Sequence, residues 1–130
     1  MKPTAVLLAL TAALGTVNLA HADDPDPAVM KKQMYDMGRN MSGLINHCID
    51  KGFLKADSAE NAKKMVAYVA GIPGGMDQSD GDKSEAHGRK GEALQNGDYL
   101  NLEQTSSLGL KQWCQQADEG MRQGLKSVGL

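Results

Sequence analysis

The chain has 130 residues, 14 basic and 16 acidic, with a formal net charge of −2 and only 4% aromatic residues. So slight an imbalance, without a basic stripe or polybasic run, excludes nucleic-acid binding and electrostatic membrane binding as primary roles. The length suits one small domain.

The N-terminal stretch reads as an export signal. Lys2 precedes an apolar run from Ala5 to Leu14, and a more polar segment ends in Ala20-His21-Ala22, small at the two positions a signal peptidase reads. Asp23-Asp24-Pro25-Asp26-Pro27 follows, acidic and hard to continue as helix. The apolar run falls short of the ~20 residues needed to span a bilayer. The expectation is a signal peptide over 1–22 and a single helical domain over 23–130, exported to the periplasm or medium without a stable membrane anchor.

The best helix pattern spans Pro27 to Lys51, with Asp26 as cap, Pro27 at the first position and Gly52 closing the end. Met30, Met34, Met37, Met41, Leu44 and Cys48 recur at gaps of 4, 3, 4, 3 and 4, a heptad-like seam that predicts lengthwise packing in the core. Gly38 and Gly43 interrupt it and mark either weak helix or close helix approach. A second helix is predicted from Ser58 to Ala70, capped by Asp57 with Glu60 reaching back, its buried stripe being Ala62, Met65, Val66 and Val69.

From Gly71 to Lys83 periodicity gives way to Gly, Asp and Ser, which predicts a loop. A weak helix is predicted from Glu85 to Gln95, ending near Asn96-Gly97, and no strand shows sustained alternation. The last helix is predicted from Leu102 to Leu125, with Asn101 as cap and Gln104 as its capping-box partner. Its seam is Leu110, Cys114, Ala117, Met121 and Leu125.

Cys48 and Cys114 thus face inward from the first and last helices, and in an oxidising compartment they read as a disulfide. Chain-entropy arithmetic assigns a loop of this size roughly 4 kcal/mol. A reactive Cys48 beside His47 is the weaker alternative, because adjacent helical residues point ~100° apart.

The other motifs favour plain readings. The methionine row offers soft thioethers that suit Cu(I), but a thin core needs them for packing. Asp77, Asp80 and Asp82 lack the EF-hand register and read as a solvated acidic loop. His47, Cys48, His87 and Cys114 have no paired zinc spacing. Gly81-Asp82-Lys83-Ser84 is not a P-loop, and the sequon Asn40-Met41-Ser42 lies inside a helix. No catalytic, cofactor or metal residues are assigned.

The predicted fold is all-α, a small bundle of three to four helices with the first and last joined by one disulfide. In layout it is similar to small two-cysteine helical periplasmic proteins, among them acid-stress chaperones and toxin-neutralising immunity proteins, and to small secreted helical virulence factors. No motif carries functional residues over. The expected role is non-enzymatic binding of a protein partner. The alternatives are a carrier of an apolar ligand or Cu(I) in a Met-lined bundle, and an enzyme built on His87 and the acidic loop.

Overall fold

Pro27 begins α1 (Pro27–Asp50), the longest helix of the computed structural model, which describes Asp24 and residues 26–130. Asp26 caps it: Oδ1 accepts the Ala28 N–H at 2.9 Å, satisfying a donor that has no intrahelical partner. The expected signal peptide lies outside the described residues. Among the described residues, α1 is followed by α2 (Asp57–Ala70), α3 (Gly81–Arg89), β1 (Glu92–Gln95), β2 (Asp98–Asn101), α4 (Leu102–Thr105) and α5 (Leu110–Ser127). The protein is mostly helical, and Cys48 of α1 is bonded to Cys114 of α5 across 66 residues of sequence, with Cα atoms 5.8 Å apart. No helix of the described residues is long and apolar enough to cross a membrane.

Two apolar clusters fill the middle of the molecule. Ile45, Ala62, Met121 and Leu125 join α1, α2 and α5, with Met41, Ile49 and Met65 packed around them. Leu44, Ala93 and Leu102 join α1 to the hairpin and α4, with Leu110 and Trp113 at their edge. The disulfide sulfurs lie fully buried on the same side of α1. The predicted inward seams of α1 and α5 therefore meet, but only over the C-terminal half of α1.

That limit corrects the reading of the methionine row as core. Met30 and Met34 are each 46% exposed and Met37 is 57% exposed, whereas Met41 is half-buried and Leu44 and Cys48 are buried. Heptad spacing places these residues on one face but does not supply a covering element. The buried residues of α1 that touch α5 include Ile45 and Cys48, beyond the three exposed methionines.

The region expected as a weak helix over 85–95 divides instead into α3 and a hairpin. β1 pairs antiparallel with β2, Gln95 opposite Asp98, leaving Asn96-Gly97 as a two-residue loop. Both have positive φ, 51° and 85°, the backbone a tight hairpin turn demands and Asn-Gly best provides. α3 begins four residues earlier than expected, so the loop is shorter than predicted.

α3 lacks large apolar residues on its inner side; Gly81, Ser84 and Gly88 occupy it. Spacing of three and four places these small residues on one helical face. Gly43 of α1 and Gly88 meet backbone to backbone. A Cβ on Gly43 would overlap the Glu85 carbonyl and lie 2.8 Å from Arg89 N and 2.9 Å from Gly88 Cα. A Cβ on Gly88 would meet Asn40 O and Leu44 N in the same way. Of the two readings offered for Gly43, close approach is correct.

Two expected caps behave differently. Asn101 does cap, its Oδ1 accepting from Glu103 N at 2.9 Å and Gln104 N at 3.3 Å, but α4 ends after one turn. Thr105 Oγ1 donates to Asn101 O and Ser106 Oγ accepts from Leu108 N, so local side-chain bonds compete with helix continuation. The long final helix accordingly starts at Leu110, not Leu102. Asp57 is the first residue of α2 rather than its cap, and its carboxylate accepts from Arg122 Nη2 of α5 at 3.1 Å. Glu60 pairs with Lys63 instead of reaching back.

Candidate functional site

One buried amide assembles the region beside the exposed methionines. Asn40, 3% exposed, donates through Nδ2 to Ser84 O at 3.0 Å and Glu92 O at 2.9 Å, and Oδ1 accepts from Leu94 N at 2.9 Å. A single α1 side chain thereby satisfies three backbone groups of α3 and β1. With its nitrogen buried and committed, Asn40 offers no glycosylation acceptor. Ion pairs complete the docking. Arg39 contacts Asp82 at 2.6 Å and Glu85 at 2.7 Å, while Lys32 donates to Asp36 at 2.6 Å and Asp80 at 2.7 Å. Hydrogen bonds to Asp36 and then Asp80 hold the Lys32 ammonium well above the ordinary lysine range.

The acidic segment is therefore not simply solvated. Asp80 and Asp82 bind α1, and Asp77 accepts the Ser79 N–H at 2.9 Å, with hydrogen bonds from Ser79 holding its carboxyl below the usual range. His87, raised as a catalytic candidate with this loop, pairs with Glu92 of β1. Its ring stacks on Tyr99 with centroids 3.7 Å apart and planes within 7°. Tyr99 OH in turn lies 2.9 Å from Ser84 Oγ. These contacts fasten the hairpin to α3, and Ser84, at 1% exposure, offers no accessible nucleophile.

Between α1, the start of α3 and the hairpin lies an open cleft of about 690 Å³. Met37, Leu94 and Tyr99 form its less polar walls, and Asp36, Gln95 and Asn96 supply polar groups. Asp36 is 8% exposed, and its Oδ1 has no hydrogen-bond partner among the described residues. Met37 belongs to both the cleft and the bare methionine face, so the two surfaces are contiguous.

The zinc candidates are not brought together. Cys48 and Cys114 are joined to each other, and His47 Nδ1 lies 3.1 Å from Arg89 O. Among the described residues no group of three or more His, Cys, Asp or Glu is placed to hold a metal ion. Sequence reasoning missed Asp36 and Tyr99. The Lys32–Asp36 spacing of one helical turn and the Asn-Gly dipeptide were the available signals for them. No family model matches the chain, and neither curated proteins nor solved structures show a match to it.

Proposed function

We propose that this chain is an exported, non-enzymatic protein that binds a protein partner through the methionine face of α1 and the adjoining cleft. The observation that carries this reading is the exposure of Met30, Met34 and Met37 at helical spacing on one face. Side by side in solvent, they form a row of apolar surface of the kind that can mark an interaction site. Flexible thioether side chains adapt to a partner's shape. The disulfide supports an oxidising compartment, and Ala20-His21-Ala22 after an apolar run supports export.

The test is photo-crosslinking from photo-methionine in the native exported fraction, with Met34→Glu/Met37→Glu as the control. A discrete protein adduct that this double variant abolishes, with unchanged circular dichroism, is the expected result. Equal recovery with the double variant overturns the proposal.

The same exposure favours a second reading, a Cu(I) site of thioethers on one face. A stoichiometric Cu(I) complex, weakened tenfold by Met37→Leu, would establish it in place of protein binding. N-terminal sequencing that finds Asp23 first supports export, and an intact Met1 on membrane-bound protein overturns it.

A further inference from the structure

The sulfur that an oxidant can reach in this protein is thioether sulfur. Both cysteines are bonded to each other and fully buried, so no free thiol stands ready to intercept an oxidant first. The methionines divide by exposure. Met30 and Met34 are each 46% exposed and Met37 is 57% exposed, whereas Met121 is 7% exposed. Met41 and Met65 are half-buried against the apolar cluster of α1, α2 and α5, and Met76 is half-buried in the segment before α3.

Oxidation has opposite consequences at the two extremes. A sulfoxide is polar where a thioether is apolar. At Met121 the added oxygen would enter the core; at Met30, Met34 and Met37 it would project into solvent. Neither apolar cluster includes any of these three. Asn40 and the Arg39 ion pairs hold α1 to α3, and the Cys48–Cys114 bond holds it to α5, without their help. Gaps of four and three nevertheless keep all three on one helical face, so three oxygens turn a continuous apolar row polar.

We infer that Met30, Met34 and Met37 form a modification site for peroxide-class oxidants, at which oxidation closes the docking surface while the fold is retained. In each step a sulfur lone pair attacks one peroxide oxygen and the O–O bond breaks. The sulfur gives up two electrons and gains that oxygen as S=O, and the other oxygen leaves with both hydrogens as water. The order of oxidation follows from exposure alone; the closing of the surface rests on the docking reading above.

The test treats the purified, disulfide-bonded chain with hydrogen peroxide and maps sulfoxides by mass spectrometry of tryptic peptides. Cleavage after lysine and arginine places Met34 and Met37 in residues 33–39, Met41 in residues 40–51 and Met121 in residues 112–122. Sulfoxide is expected at Met30, Met34 and Met37 at least tenfold faster than at Met121, and at equal rates once guanidinium has unfolded the chain. The chain oxidised at those three alone should keep its circular dichroism and urea midpoint but elute earlier from a phenyl resin. It should compete at least tenfold less well than untreated chain for the photo-methionine adduct. Met30→Leu/Met34→Leu/Met37→Leu keeps the face apolar without thioethers, so peroxide should alter neither its elution nor its competition.

Oxidation of Met121 as fast as of the exposed three, or loss of the fold when only those three carry oxygen, overturns the inference. So does unchanged elution of the sulfoxide form, or a peroxide effect in the leucine variant equal to the parent's. The docking reading is judged separately. If Met34→Glu/Met37→Glu abolishes the protein adduct while the sulfoxide form competes fully, only the oxidation switch falls. If the three methionines oxidise first while the adduct survives that double variant, the docking reading falls and the modification site remains.

Discussion

On one flank of α1, α2 and α5 bury Ile45, Ala62, Met121 and Leu125 against one another and add the Cys48–Cys114 bond. On the other, α3 brings Gly81, Ser84 and Gly88, and is held by Asn40, ion pairs and backbone contact with Gly43. The first flank derives its stability from apolar area and a covalent tie, which tolerate changes of shape that conserve volume. The second depends on side chains that are absent and on one amide with three backbone partners. It is consequently intolerant of an added methyl group, and it also shapes the cleft. The cleft thus stands on the flank with less apolar material, where polar contacts set the positions of α3 and the hairpin.

The largest test of this contrast is the covalent tie. Cys48→Ser with Cys114→Ser should lower unfolding stability by about 4 kcal/mol, measured by urea denaturation. Intact mass should rise by two hydrogens on reduction of the parent protein. If two free thiols are found in freshly isolated native protein, the apolar flank has no covalent tie and the comparison loses one side.

Next come the glycines. Gly88→Ala should cost about 2–3 kcal/mol, because its Cβ meets rigid α1 backbone. Gly124→Ala on α5, where a Cβ meets nothing within 4 Å, should instead stabilise by up to ~1 kcal/mol. Thermal or chemical denaturation of both variants decides whether close approach, rather than helix propensity, distinguishes the flanks. Equal effects would erase the distinction.

Asn40→Ala leaves Leu94 N, Ser84 O and Glu92 O without their partner and should cost about 2 kcal/mol. Hydrogen exchange should quicken at Leu94 and in the hairpin while the Ile45–Leu125 cluster stays protected. Uniform loss of protection would show that the flanks unfold as one unit.

The smallest effect is expected on the bare face. Met34→Gln should change stability by less than ~0.5 kcal/mol, since the side chain is 46% exposed and its length is conserved. Met41→Ala, packed at the apolar cluster, should cost more than Met34→Ala. Similar costs for the two would mean that the methionine row is covered along its whole length.

Local physical chemistry alone determined much of the apolar flank. Asp26 and Pro27 marked the start of α1, Gly52 its end, and the inward positions of Cys48 and Cys114 their pairing. The hairpin was legible in principle at Asn96-Gly97, but four-residue strands such as Glu92–Gln95 are too short for alternation to distinguish from a helical turn. The glycines of α1 and α3 likewise carry opposite meanings in isolation and in contact: each weakens a lone helix, yet Gly43 and Gly88 permit two backbones to touch.

Periodicity showed that Met30, Met34, Met37 and Met41 share a face of α1 and that α5 has a face to match, since side-chain direction along a helix follows from its pitch. Which part of that face is covered was decided only by tertiary structure. The break at Ser106–Gly109 moves the start of α5 to Leu110, the bond to Cys48 ties it beside the C-terminal half of α1, and three methionines remain in the open. The cleft and the unpartnered Asp36 oxygen arise in the same way, from where α3 and the hairpin stop against α1, a relation between distant segments that no local pattern encodes.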